Sequence, residues 1–303
     1  MTTDVIDAAQ AGTWTLGDAV VRRVGFGAMR LPQTGPALIA DAVPRDRAAI
    51  AVLRRAVELG VDHIDTAAFY FSSRLSANEL INSALSAHRD ELFIATKVGP
   101  ARDTAGEWAA HAMTPESLRG QVEENLRQLG TDRLDLVNLR IVRDDHFAER
   151  FGALAEMRDA GLIRHLGLSN VQPRHLEIAR AIAPVVCVQN PFGLGAFGEQ
   201  REMLELCGEL GVAFVPFYSL AGTNRERGAS QQAGDAPEVL EVARAHGATP
   251  AQIRIAWTLH QGPHVLVIPG TGDLRHLAEN VAAGGIRLSE DDLQLLDTAQ
   301  AAG

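Results

Sequence analysis

The chain reads as one closed α/β barrel of eight parallel strands, each followed by a helix, with a β-hairpin in front. Three observations predict this. Short apolar runs bounded by turn residues recur at even spacing through 303 residues, amphipathic helical patterns separate them, and the runs are apolar throughout, as strands covered on both faces must be. An open doubly wound sheet is the runner-up. It would carry G-x-G-x-x-G after its first strand and an acidic residue about 20 positions on, and that fingerprint is missing. The length alone would suggest two domains, but barrels of this kind run to 303 residues as a single unit. One domain over residues 1–303 is therefore expected, with 1–11 a loose tail.

The elements follow in order. Residues 13–21 alternate around Gly17-Asp18, the pattern of a hairpin. A first strand enters Gly25, and 32–44, with Pro32, Gly35 and Pro44, reads as a loop. Ala49, Val52, Leu53 and Ala56 share one helix face that Gly60 ends. Strand 63–65 precedes a helix around 77–85, and strand 92–99 precedes a helix that Thr114 caps and Pro115 opens. Then come strand 134–139, helix 147–160, strand 163–168, helix 173–182, strand 185–189, helix 199–210 and strand 213–217. Helices over 236–245 and 250–260, a last strand at 265–268, and helices from about 275 and 289 complete the count of eight strands.

Composition narrows the function. No run of about 18 apolar residues could span a bilayer. The start, Met1 to Asp7, has acidic residues and no basic segment ahead of an apolar one, unlike a secretory signal. Cys187 and Cys207 both sit in apolar settings, so a disulfide framework is not expected, and the cytoplasm is the expected compartment. A net charge of −10 argues against wrapping nucleic acid. No metal ligands are expected, and the partner should be a small molecule.

One residue stands apart. Lys97 is the chain's only lysine among many arginines, and it closes an apolar strand. An ammonium is a compact charge whose pKa can be moved, whereas a guanidinium is always charged, so a lysine in this setting suggests chemistry. In a barrel the C-terminal strand ends converge on one mouth, which brings Asp65 and Lys97 together. A carboxylate there needs a cation, and Lys97 is the natural partner. Tyr70 follows five residues after Asp65. A phenol beside an ammonium should have its pKa lowered from near 10 and be ready to give a proton, as carbonyl reduction requires.

These residues carry a resemblance. Gly60-Val61-Asp62-His63-Ile64-Asp65-Thr66-Ala67-Ala68-Phe69-Tyr70, Asn78-Glu79-Leu80, Ala95-Thr96-Lys97, Gly167-Leu168-Ser169-Asn170 and Ile268-Pro269-Gly270-Thr271 together resemble the aldo-keto reductases, from about Leu16 onward. The resemblance implies a TIM barrel with a nicotinamide cofactor across its mouth, Tyr70 as acid, Lys97 tuning it and Asp65 orienting Lys97. It also implies cofactor contacts from Gly27, Ala28, Met29, Asp65, Ser169, Asn170, Gln189, Phe217 and Leu220, with Phe217 stacking on the nicotinamide. The adenosine-phosphate segment would be Gly270, Thr271, Gly272, Arg275, His276, Glu279 and Asn280, where a helix N-terminus favours anions. His276 stands where the family usually has arginine and Asp273 adds a negative charge, so NADPH is favoured over NADH only in part.

The strand Leu134-Asp135-Leu136-Val137-Asn138-Leu139-Arg140 departs from the family, which usually ends it in a catalytic histidine. Arginine brings a permanent charge and a fork of donors. It should make Tyr70 still more acidic and favour a substrate with an anionic oxygen near its carbonyl, unless it turns to Asp144 or Asp145. The Asn-Leu-Arg variant, with Val186-Cys187-Val188-Gln189-Asn190 and Gly247-Ala248-Thr249-Pro250-Ala251-Gln252, is similar to the pyridoxal reductases of the family. Pyridoxal, with a phenolic oxygen beside its aldehyde, suits such a site. Other readings are a Schiff-base aldolase built on Lys97, a non-catalytic NADPH-binding sensor or accessory subunit, and a biosynthetic ketone reductase. The loops 100–113 and 221–235 are expected to be mobile and to set the substrate.

Overall fold

A computed structural model describes residues 6–34, 46–72, 74–102, 108, 113–142, 145–195, 198–220 and 235–301. Strands β1 (Thr13–Leu16) and β2 (Ala19–Arg22) pair antiparallel as the predicted hairpin. Gly17 turns it with φ of +70°, in the left-handed region that glycine enters without steric cost. Then β3 (Phe26–Gly27), β4 (His63–Asp65), β5 (Phe93–Val98), β6 (Leu134–Arg140), β7 (Ile163–Ser169), β8 (Val185–Gln189) and β9 (Ala213–Phe214) form one sheet in chain order. All of its neighbours are parallel.

The predicted last strand appears as a seam rather than a ladder. Val265 bridges Phe214 and Val267 bridges Val24, each in parallel, while Gly25 N–H donates to Val267 O at 2.8 Å. The segment thus joins β9 to β3 and closes the ring. Pro263 and Pro269 flank it, and a proline cannot extend a ladder, which leaves room only for single bridges.

Helices α1 (Asp46–Glu58), α2 (Ala77–Leu85), α3 (Pro115–Leu129), α4 (Phe147–Asp159), α5 (Pro173–Ile182) and α6 (Arg201–Glu209) lie between successive strands. After β9 come α7 (Pro237–His246), α8 (Pro250–His260), α9 (Leu274–Ala282) and α10 (Glu290–Ala301). Their boundaries follow local chemistry. Thr114 caps α3 by accepting from Ser117 N–H, with Pro115 in the first turn, and Thr249 and Gln252 form a capping box on α8. The helices' apolar faces bury Leu53, Leu118, Phe151, Leu176 and Trp257 against the outside of the sheet.

Inside the ring, alternate side chains make a second core: Phe93, Ala95, Leu136, Cys187, Ala213, Val215 and Leu266, with Leu16 and Val21 of the hairpin. The hairpin therefore plugs the N-terminal end of the barrel. Asp18 at its turn pairs with His165 Nε2 at 2.6 Å and Arg164 Nη2 at 2.8 Å. The Arg164 hydrogen bond first, then that from His165, hold the Asp18 carboxyl down to about 2.

The expected loose start is only partly comparable. Ala8–Ala11 wind into a 3-10 turn that Asp7 caps, with Ala8 and Ala11 buried, and residues 1–5 lie outside the described residues. Most of the two loops expected to be mobile, 103–107, 109–112 and 221–234, also lies outside them. No described helix is long and apolar enough to cross a membrane.

Candidate active site

The C-terminal ends of β4 to β8 present Asp65, Lys97, Arg140, Ser169 and Gln189 on the barrel's inner face. Registers place Lys97 beside Asn138, which lies beside Gly167, and Arg140 beside Ser169, which lies beside Gln189. Lys97 Nζ donates to Asp65 Oδ1 at 2.5 Å and to Thr66 O at 3.1 Å. From β8, Gln189 Nε2 donates to the other carboxylate oxygen, Asp65 Oδ2, at 2.6 Å. The Lys97 and Asp65 side chains are 3% and 5% exposed. An ion pair so deeply buried survives only when its remaining donors and acceptors are met, and here both carboxylate oxygens are. Gln189, expected to meet the cofactor amide, thus also grips the carboxylate, and its own Oε1 is buried without a partner.

A polar brace lies behind this pair. Because side chains alternate, Thr66 and Thr96 point outward from the residues next to Asp65 and Lys97. Thr66 Oγ1 donates to Asn78 Oδ1 at 2.7 Å, Asn78 Nδ2 to Asn125 Oδ1 at 2.9 Å, and Thr96 Oγ1 to the same Asn125 oxygen at 2.5 Å. All four side chains are at most 1% exposed. Gln121 of α3 exchanges hydrogen bonds with both backbone groups of Gly99, just past Lys97. Helices α2 and α3 thereby fix the ends of β4 and β5.

Tyr70 lies in the turn after β4. Its N–H donates to Ala67 O at 3.0 Å and its carbonyl accepts from Ala77 N–H, at the start of α2, at 2.9 Å. Lys97 Nζ is 5.0 Å from the ring centroid. The expected fall in the Tyr70 pKa does not occur. Burial, the largest influence, raises it, and Asp65 adds to the rise, while the charges of Lys97 and Arg140 oppose it and lose. Burial alone would lower the Lys97 ammonium, but the Asp65 charge, followed by Tyr70 and their hydrogen bonds, holds it above the ordinary lysine value. Both groups therefore keep their protons at neutral pH.

Arg140, half-buried, donates from Nη1 to Ser169 Oγ at 3.1 Å, and its guanidinium carbon lies 4.9 Å from the Phe217 ring centroid. It does not turn to Asp145, whose carboxylate lies 3.5 Å from Arg150 Nη2; Asp144 lies outside the described residues. Beside it Asn138 is fully buried, with neither amide atom hydrogen-bonded to another group. Only glycine fits at 167: a Cβ there would sit 2.0 Å from Asn138 Oδ1 and 2.9 Å from Cys187 O.

The other residues expected at a cofactor divide between two places. Around the mouth, Gly27 ends β3, Ala28 N–H donates to Asp65 O at 2.8 Å, and Met29 and Leu220 pack partly buried against the core. Asn170, in the left-handed region at φ +60°, donates from its side chain to Ile141 O at 3.0 Å. Further round, Gly270 abuts β3 so closely that a Cβ would lie 2.4 Å from Gly27 O, and α9 starts four residues on. The anion site expected at that helix start is altered. The Asp273 side chain already accepts from Arg275 N–H and His276 N–H, both at 2.9 Å. An anion there must rely on the exposed side chains of Arg275 and His276. These touch at 2.9 Å, and Arg275 also pairs with Glu279 at 2.7 Å. Thr271 Oγ1 accepts from Asp273 N–H, and Asn280 is buried at 6%.

Sequence reasoning missed Asn125, Gln121 and Arg102. The first two sit on helix α3 with nothing in the local sequence to link them to Gly99 and Thr96, 22 and 29 residues away; Arg102 is one arginine among many.

Comparison with known proteins identifies the family. The aldo/keto reductase family model matches residues 23–301. Pyridoxine 4-dehydrogenase of Escherichia coli is 41% identical over 95% of this chain and 98% of its own. The thermostable aldo-keto reductase Tm1743, solved with the inhibitor epalrestat, is 30% identical with a TM-score of 0.77, covering 93% of this chain and 97% of its own. An aldo/keto reductase from Klebsiella pneumoniae, solved with NADP and acetate, is 27% identical with a TM-score of 0.76 over 94% of both chains. A family match along nearly the whole chain, a relative of this identity, and a mouth where lysine, aspartate and tyrosine meet at the strand ends lead to one conclusion: the chain belongs to the aldo/keto reductase family.

Proposed function

We propose that the protein is an NADPH-dependent carbonyl reductase that converts pyridoxal to pyridoxine, with Tyr70 as proton donor. The observation that carries this is the buried ammonium of Lys97, fixed by Asp65 and set 5.0 Å from the ring of the protonated Tyr70 phenol, on the rim that also holds the Arg140 guanidinium. The similarity to pyridoxine 4-dehydrogenase and to a reductase solved with NADP supports the substrate and the cofactor. The residues present suit a nicotinamide. Gln189 Oε1 is a buried acceptor without a partner, suited to an amide N–H, and Ser169 and Phe217 offer a hydroxyl and a ring face beside it. When bound, the cofactor supplies hydride to the carbonyl carbon. Tyr70 gives its proton to the oxygen as charge develops there, Lys97 steadies the phenolate left behind, and Asp65 with Gln189 keeps Lys97 from moving. Arg140 offers charged donors to the phenolate oxygen beside the aldehyde. At the other end Arg275 and His276 would face the adenosine phosphate, and Asp273 weakens the preference for NADPH over NADH. Two free, buried cysteines suit a reducing cytoplasm.

The test is NADPH oxidation by purified protein with pyridoxal and with benzaldehyde, in wild type, Tyr70→Phe and Arg140→Ala. Tyr70→Phe should lower kcat by about 10²–10⁴-fold for both. Arg140→Ala should raise the KM for pyridoxal about tenfold or more, the worth of a charge-assisted hydrogen bond, and leave that for benzaldehyde nearly unchanged. Wild-type protein that reduces benzaldehyde but leaves NADPH untouched by pyridoxal removes the substrate assignment.

A further inference from the structure

Arg102 lies five residues beyond Lys97, past the end of β5, and is only 9% exposed. Its Nη1 donates to Phe71 O at 2.9 Å and to Phe69 O at 3.3 Å, the carbonyls on either side of Tyr70. Its guanidinium carbon stands 4.5 Å from the Phe71 ring centroid and 6.0 Å from that of Trp108, with which it also forms an antiparallel bridge. Phe69 packs edge-on to Tyr70 at 5.0 Å, and Trp108 edge-on to Phe69 at 5.8 Å. From these contacts we infer that Arg102 is a positioning residue for Tyr70: it fixes the peptide that carries the proton donor from the same strand end that carries Lys97.

Tyr70's own N–H and carbonyl are committed to Ala67 and Ala77, both continuous with the turn that bears it. Those bonds shape the turn but do not tie it to β5. The flanking carbonyls are held from the β5 side by Arg102, so one segment, Lys97 to Arg102, bears on both the ammonium and the peptide that carries the phenol. A planar guanidinium can stack on Phe71 while its edge donates, which a compact ammonium cannot do as well. This inference rests on Tyr70 being the proton donor, so one of its readouts must be free of turnover.

The chain has two tyrosines, and in a Tyr218→Phe background the ring-carbon NMR signal of ¹³C-labelled tyrosine reports Tyr70 alone. The probes are that signal against pH, pyridoxal turnover, and NADPH affinity by fluorescence, in Arg102→Met and Arg102→Lys. Methionine keeps an apolar stem over the rings but has no donors; lysine keeps a donor. Misplacement by about 1 Å costs on the order of 10²-fold in rate, so Arg102→Met should lose about that in kcat with NADPH affinity within twofold. With the phenol less closely held to the ammonium that opposes its raised pKa, the Tyr70 titration should move further up. Arg102→Lys, which keeps a donor but not the stacked plane, should recover part of the kcat. Wild-type kcat and an unmoved titration in Arg102→Met overturn the inference, as does an equal loss in both variants, which would mark a general packing role. Should the unsubstituted protein reduce no carbonyl, the functional reading falls, while the ring titration still decides what Arg102 does.

Discussion

Replacing Lys97 with methionine tests the ion pair on which the site depends. The substitution keeps the stem's volume and removes the charge. Asp65, with its side chain 5% exposed, is then left with the single 2.6 Å hydrogen bond from Gln189. Breaking a buried pair by removing one partner costs about 3–5 kcal/mol, because the remaining charge is neither paired nor hydrated. Thr66 O also loses the donor at 3.1 Å, so a loss near the upper end, about 4–5 kcal/mol, is expected. The double variant Asp65→Asn, Lys97→Met removes the stranded charge and lets Gln189 donate to a neutral oxygen. It should therefore be more stable than the single variant by about 2 kcal/mol. Urea unfolding measures both, with coincident circular dichroism and tryptophan fluorescence transitions establishing that one free energy describes each curve, and unchanged slopes showing that only stability moved. A single variant within about 1 kcal/mol of wild type, or a double variant losing more than the single one, would show that Asp65 does not depend on the ammonium.

Because burial raises the Tyr70 pKa, its proton is retained through the neutral range, so kcat for reduction should stay level and fall only above about pH 10; a Tyr70-dependent alkaline limb centred below pH 9 contradicts this. Gly167→Ala forces a methyl to within 2.0 Å of Asn138 Oδ1 and 2.9 Å of the Cys187 carbonyl. It should cost about 1–3 kcal/mol in the same urea titrations, and a neutral result would mean that the strand yields easily. Asp18, held at about 2 by Arg164 and His165, stabilises the hairpin above its unfolded value of 3.8, and that benefit is lost as pH falls from 3.8 through 2. Its side chain is largely exposed, so Asp18→Asn should cost under about 1 kcal/mol at pH 7 and still less as pH falls through 2, read as a difference in melting temperature.

Much of this site was legible because strand periodicity reveals which side chains point inward, and barrel geometry sends those at the strand ends to one mouth. Asp65 and Lys97 were found that way, whereas Arg140, Ser169 and Gln189 came from the resemblance to the aldo-keto reductases. The direction of the Tyr70 shift was not legible. Sequence gives the charge of a neighbour but not how deeply the phenol is buried, and burial here outweighs the ammonium. The final segment, 265–268, has the apolar run of a strand, yet the prolines at its ends confine it to two bridges. At α9, the expected pull of a helix N-terminus on anions ignored Asp273, whose side chain takes up the amides first. Arg102 escaped because its partners are backbone carbonyls, which leave no trace in side-chain pattern.

Asp65 is held at both oxygens by residues from β5 and β8, strands that lie apart around the ring. The ion pair of the proton-handling centre is thus anchored to the rigid staves of the barrel. Such an arrangement lets the rim be rebuilt for new carbonyl compounds, by insertion or by exchange of loop segments beyond those that hold Tyr70, without disturbing the ion pair beneath.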